Sequence, residues 1–137
     1  MSIESNKALV RQACRCIHQR NVPALLELMH AEGTWSIPYR SDRFQFSGVR
    51  DKAATGKQLT DFLSGFTRFT FTPMAMTAEA DRVAVECVCE GVGPGTATYK
   101  NGIHFVFIIK DGKIHTVREY LDPFEVFAYV EQWPASP

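Results

Sequence analysis

Two apolar runs near the C-terminus, residues 98–109 and 113–122, are joined by Asp111-Gly112, and no other feature constrains the fold as much. Asp-Gly suits a two-residue hairpin turn because both positions tolerate positive φ. With that turn, Lys110 opposes Lys113, and every pair further out follows in register. His104 is then expected opposite Glu119, Val106 opposite Val117, and Gly102 opposite Leu121. Cross-strand partners share a face, so His104 and Glu119 are expected to be side-chain neighbours. The other face would carry Ile103, Phe105, Phe107 and Tyr120. A bulge would shift the register by one and separate His104 from Glu119.

The first half of the chain has helical rather than alternating period. Leu9, Ala13, Cys16 and Ile17 recur on one helical stripe beginning near Ser5. Asn21 and Pro23 mark a second helix start, and Gly33 its latest end, before a short strand over 34–37. Residues 39–47 read as a loop. Ser47 is the expected cap of a third helix over 49–64, with Ala53, Leu59, Phe62 and Leu63 inward. After Gly65 the period changes to two. Phe69 and Phe71 alternate with threonines, and Val83, Val85 and Cys87 alternate with Ala84, Glu86 and Val88. A glycine-rich turn over 91–95 precedes the long hairpin, and a short helix follows Pro123. Helices first and a meander of strands after predict an α+β domain spanning 1–137, its N-terminal helices packed on a curved antiparallel sheet around a pocket.

Charge narrows the partners. Fifteen basic residues balance fifteen acidic ones, with no basic stripe, so neither nucleic acid nor an anionic membrane is an expected partner. The N-terminal residues lack a signal-peptide core and no run reaches transmembrane length, which fits a reducing cytoplasm. The four cysteines form two Cys-x-Cys pairs, Cys14 with Cys16 and Cys87 with Cys89. That spacing suits buried thiols better than zinc or a disulfide. His18, His30 and His115 are scattered, so neither metal nor cofactor is expected.

Glu119 is the leading candidate for chemistry. Beside Val117 and Leu121 in a dry pocket, its ionised form would be disfavoured, bringing its pKa into the range of a working acid or base. A structural ion pair with Arg118 is the competing role. His104 would share the proton or polarise a carbonyl, or else serve as a satisfied core residue. Glu86 is either a second pocket carboxylate or a cross-strand ion pair. Trp35, Tyr39 and Phe46 flank the irregular segment and are candidate ligand walls, as are Val117 and Leu121, although such residues also simply fill cores.

The element order, with Tyr99-x-Asn101, Phe107, Asp111-Gly112-Lys113-Ile114 and Arg118-Glu119-Tyr120-Leu121-Asp122, resembles the SnoaL-like branch of the nuclear transport factor 2-like (ketosteroid-isomerase-like) superfamily. The resemblance runs from the first helix to Phe127. It implies a cone-shaped α+β barrel with a deep pocket, dimeric through its outer sheet face. Within the branch, Arg50-Asp51-Lys52, Val85-Glu86-Cys87 and Arg118-Glu119 are similar to the phenazine-biosynthesis condensation proteins. There the residue matching Glu119 is a pocket acid. The position matching His104 in steroid isomerases holds an oxyanion-hole acid. The helix-three histidine of the phenazine proteins falls on Gly56, and the Arg-x-Asp of epoxide hydrolases falls on Glu86 and Val88, so no family activity transfers whole. Two functions remain open. One is a cofactor-free acid/base enzyme acting on a small apolar cyclic carbonyl compound by isomerisation, cyclisation or condensation. The other is a dimeric ligand-binding protein without chemistry.

Overall fold

The computed structural model describes residues 2–135. In chain order the elements are α1 (Ile3–His18), α2 (Val22–Glu27), β1 (Met29–Ile37), β2 (Gly48–Asp51) and α3 (Lys52–Leu63). They continue as β3 (Arg68–Glu79), β4 (Arg82–Val92), β5 (Thr98–Lys110), β6 (Lys113–Leu121) and α4 (Pro123–Val130). One curved sheet has the order β2-β1-β6-β5-β4-β3. Only β1 and β6 run parallel, so the sheet is mixed, and it does not close on itself. Helices cover its inner face, as the period change predicts. The result is an open α+β cone.

Local chemistry accounts for most boundaries. Ser2 caps α1 reciprocally with Ser5, and the buried stripe contains Val10, Ala13, Cys14, Cys16 and Ile17. Asn21 accepts from Ala24 N–H to start α2, which ends after six residues. The chain enters β1 at Met29, earlier than expected, because Gly33 does not end a helix. It is buried inside the strand where the β1–β6 register slips, and a Cβ there would lie 2.9 Å from the His30 carbonyl oxygen. Ser47 does not cap α3. Residues Gly48–Asp51 instead form the edge strand, and Asp51 Oδ1 accepts from Ala54 N–H at 2.8 Å. Ala53 is consequently exposed, and the inward stripe of α3 is Thr55, Gln58, Leu59, Phe62 and Leu63.

The hairpin turn forms as expected, with Asp111 at φ 55°, Gly112 at φ 74° and Lys110 opposite Lys113. The register then slips. Ile109 opposes Ile114 and Ile108 opposes Thr116, leaving His115 as the extra residue on β6. His104 therefore faces Tyr120, and Glu119 faces Phe105. The expected faces of β5 are reversed: Ile103, Phe105 and Phe107 are core residues, while His104 is on the outer face. All four cysteines are buried free thiols, as their spacing predicts.

Candidate active site

The site begins with alternation in β6. Val117, Glu119 and Leu121 point to the inner face, and β1 lies alongside with Trp35 opposite Val117. From there Trp35 Nε1–H donates to Glu119 Oε1 at 2.9 Å. On the other side of β1, Arg50 of β2 is the cross-strand partner of Trp35, which brings its side chain to the same face. The α3 stripe closes the space opposite the sheet, presenting Thr55, Gln58, Leu59 and Phe62. Together these elements bound a cavity of about 90 Å³ that opens to solvent.

The walls are chiefly apolar, with Trp35, Phe44, Phe62, Phe71, Tyr99 and Phe105 prominent. Trp35 meets Phe105 edge to face at 5.5 Å between ring centroids. Of the lining groups, Glu119 is the one that changes charge near neutrality. Burial lifts its carboxyl from 4.5 to about 6, against the opposing pull of the Trp35 N–H and of Arg50. Cys89 is pushed up to about 12 by burial and then by the Glu119 charge, so it remains a thiol. Burial also raises Tyr99, whose hydroxyl accepts from Asn101 Nδ2 at 2.8 Å. Arg50 carries positive charge throughout, although burial pulls its pKa below the usual value and Glu119 only partly holds it up.

The expected site residues divide. Glu119, Trp35, Phe46 and Leu121 line the cavity. His104 does not: the bulge turns it outward, where it is exposed and opposite Glu86. Glu86 is likewise exposed on the outer face and forms no second pocket carboxylate. Val117 is fully buried between β1 and β5 and is packing rather than cavity wall. Tyr39 stands outside the lining, its hydroxyl donating to Leu121 O and accepting from Leu121 N–H, both at 2.6 Å. Nor does Glu119 pair with Arg118, which alternates to the opposite side of β6. His30 and His115 are not scattered but 5.1 Å apart between ring centroids. Among the described residues no third ligand joins them.

Three polar lining residues were not anticipated as site residues: Arg50, Thr55 and Gln58. The i, i+3, i+7 spacing of Thr55, Gln58 and Phe62 was the available signal for the helix face. Arg50 had no local signal, since its orientation depends on pairing with β1. Gly56, the position matched by a histidine in the phenazine proteins, turns away from the cavity towards α2. A Cβ there would meet Leu26 Cδ1 at 2.7 Å.

Helices covering an open, curved six-stranded mixed sheet make this a nuclear transport factor 2-like cone-shaped fold. The SnoaL-like domain family matches residues 10–117, and the chain belongs to that family. A curated relative, UPF0523 protein C of Dictyostelium discoideum, is 28% identical over 98 residues, covering 69% of this chain and 63% of the relative. The chain thus spans somewhat less than two thirds of that relative's length. An NTF2-like protein of unknown function from Burkholderia pseudomallei superposes with a TM-score of 0.80 at 15% identity, covering 95% of this chain and 98% of its own. An LEH-like epoxide hydrolase of M. tuberculosis superposes with a TM-score of 0.74 at 14% identity, covering 94% and 92%. Identities this low establish a shared fold.

Proposed function

We propose that this protein is a cofactor-independent enzyme that moves a proton on an apolar cyclic carbonyl compound held in the cavity, with Glu119 as the proton-transfer group. The observation that carries the reading is a carboxyl raised to about 6 within a largely apolar cavity. A base with that pKa is mostly ionised at neutral pH yet regains its proton readily, the balance that general acid/base catalysis needs. Membership of the SnoaL-like family and the epoxide hydrolase among its structural neighbours support a small-molecule site. Isomerisation, cyclisation and condensation all begin with such a transfer at carbon next to a carbonyl. The protein acts in this reading as a homodimer joined through its outer sheet face.

The test is hydrogen–deuterium exchange at the α-carbon of bicyclic and tricyclic ketones, followed by NMR. Wild type is expected to exchange at least ~10²-fold faster than Glu119→Gln, the usual worth of a positioned base. Equal exchange by the two proteins would end the catalytic reading. One observation favours binding without chemistry: the bulge removes His104, so among the described residues no histidine or second carboxylate lines the cavity. That reading expects Glu119→Gln to keep or improve ligand affinity with no exchange in either protein.

A further inference from the structure

The cavity contains a cation that feels the Glu119 carboxylate only at a distance and has no ion-pair contact. Arg50 is half-buried beside Trp35, and no carboxylate among the described residues lies within 4.0 Å of its guanidinium. Among the described residues it makes only long hydrogen bonds, Nη2 to Ser47 O at 3.4 Å and Nη1 to Gly48 O at 3.5 Å. A guanidinium has five donors in a planar fork suited to a carboxylate, and most of them here are uncommitted. Partly desolvating a charge without a contacting partner is costly, a cost that the distant Glu119 offsets only in part and that a ligand bringing a counter-charge into contact would recover.

A second, independent observation lies across the space on α3. Thr55 is 2% exposed, and its Oγ1 is buried with no hydrogen-bond partner among the described residues. It lines the same cavity as Arg50. An orphaned buried hydroxyl is uncommon enough to require an account. Gln58, one turn further along the same stripe, also lines the cavity and hydrogen-bonds to no described residue. Arg50 and Gln58 border both the cavity and the outer groove that reaches Lys57 and Trp133, which places them at the mouth.

We infer that Arg50, Thr55 and Gln58 form an anion subsite, and that the ligand is a planar ring system bearing an ionised oxygen acid such as a carboxylate. The rings occupy the aromatic interior, and the acid group faces Arg50 at the mouth. The ligand's reacting carbon then lies deeper, towards Glu119. This rests on the cavity being the ligand site, as proposed above, but does not need Glu119 to be catalytic. It also sets orientation: like charges keep the acid group away from the Glu119 carboxylate and beside the guanidinium.

The test is calorimetric titration of the whole protein with 2-naphthoate, its methyl ester and 2-naphthamide. A charge-assisted hydrogen bond in this setting corresponds to ~10-fold or more in affinity, so naphthoate is expected to bind wild type at least that much more tightly than the ester. Arg50→Met is expected to abolish the difference while leaving the ester's affinity within ~2-fold, and Arg50→Lys to retain part of it. Thr55→Val removes only the orphaned hydroxyl; it is expected to weaken naphthoate several-fold with no loss of apo melting temperature. This second variant keeps the inference testable if Arg50→Met folds poorly. Equal binding of acid and ester to wild type, equal weakening of both by Arg50→Met, or no binding of naphthoate at millimolar concentration overturns the inference. Glu119→Gln is expected to keep the preference for the acid. Equal exchange by wild type and Glu119→Gln with an intact Arg50-dependent preference would therefore refute only the catalytic reading, and Glu119-dependent exchange without that preference only the anion subsite.

Discussion

A carboxyl group between an indole N–H and a wall of phenylalanines is subject to opposing forces. For Glu119 burial wins, and its pKa rises from 4.5 to about 6. A carboxyl raised on folding favours the folded state where both states are protonated, below about 4.5. That advantage is lost as pH rises through about 6, because the unfolded chain gives up its proton first. The gap corresponds to about 2 kcal/mol, an upper figure because the cavity mouth admits some water. Glu119→Gln cannot ionise, so its stability relative to wild type is expected to improve between pH 4.5 and pH 7, by several degrees in melting temperature at the upper end. Parallel melting curves for the two proteins at every pH would show that the carboxyl is well solvated. The residue itself was legible from sequence because Val117, Glu119 and Leu121 alternate on one strand, whatever lies opposite. His104 was not legible in the same way, since its face depended on the register of a second strand.

At the scale of elements, the site depends on two irregularities and one cap. The extra residue His115 in β6 sets which residues of β5 line the cavity, and a run of mixed apolar and polar residues gives no sign of such an insertion. Gly33 is ambiguous in sequence, because a glycine that ends a helix and one that accommodates a strand irregularity look the same without the neighbouring β6. The start of α3 was misplaced for a similar reason: Ser47 and Asp51 are both acceptable caps, and the pairing of β2 with β1 decides between them. That decision matters to the site, because Asp51 fixes the first turn from which Thr55 and Gln58 project. Asp51→Ala is expected to cost about 1 kcal/mol by denaturant titration, while Asp51→Ser retains most of the stability. No loss in the alanine variant would mean that α3 is held by packing alone. By contrast, the turn at Asp111-Gly112, the cap at Asn21 and the period change after Gly65 are all local, and local signals placed most elements correctly or within a few residues.

At the scale of the molecule, the reversed face of β5 moves the expected interface without removing the reason for one. Phe105 and Phe107 now account for the inside of the cone, at 2% and 0% exposure. The outward side still presents an apolar row, Ala84, Val88, Val106 and Ile108, set among Arg82, Glu86, His104 and Arg118. Among the described residues no helix covers it, since the helices pack on the inner face. Small apolar residues ringed by charges of both signs suit a self-complementary contact, in which an arginine of one copy meets a glutamate of the other. Light scattering is expected to report twice 15.4 kDa for wild type, and about 15.4 kDa for Val106→Lys, which places a charge in the middle of the row. Phe105→Lys is the informative contrast. It buries a lysine inside the monomer and is expected to unfold the chain rather than separate two folded copies. A wild-type monomer, or a Val106→Lys dimer as tight as wild type, would remove the outer face as the interface.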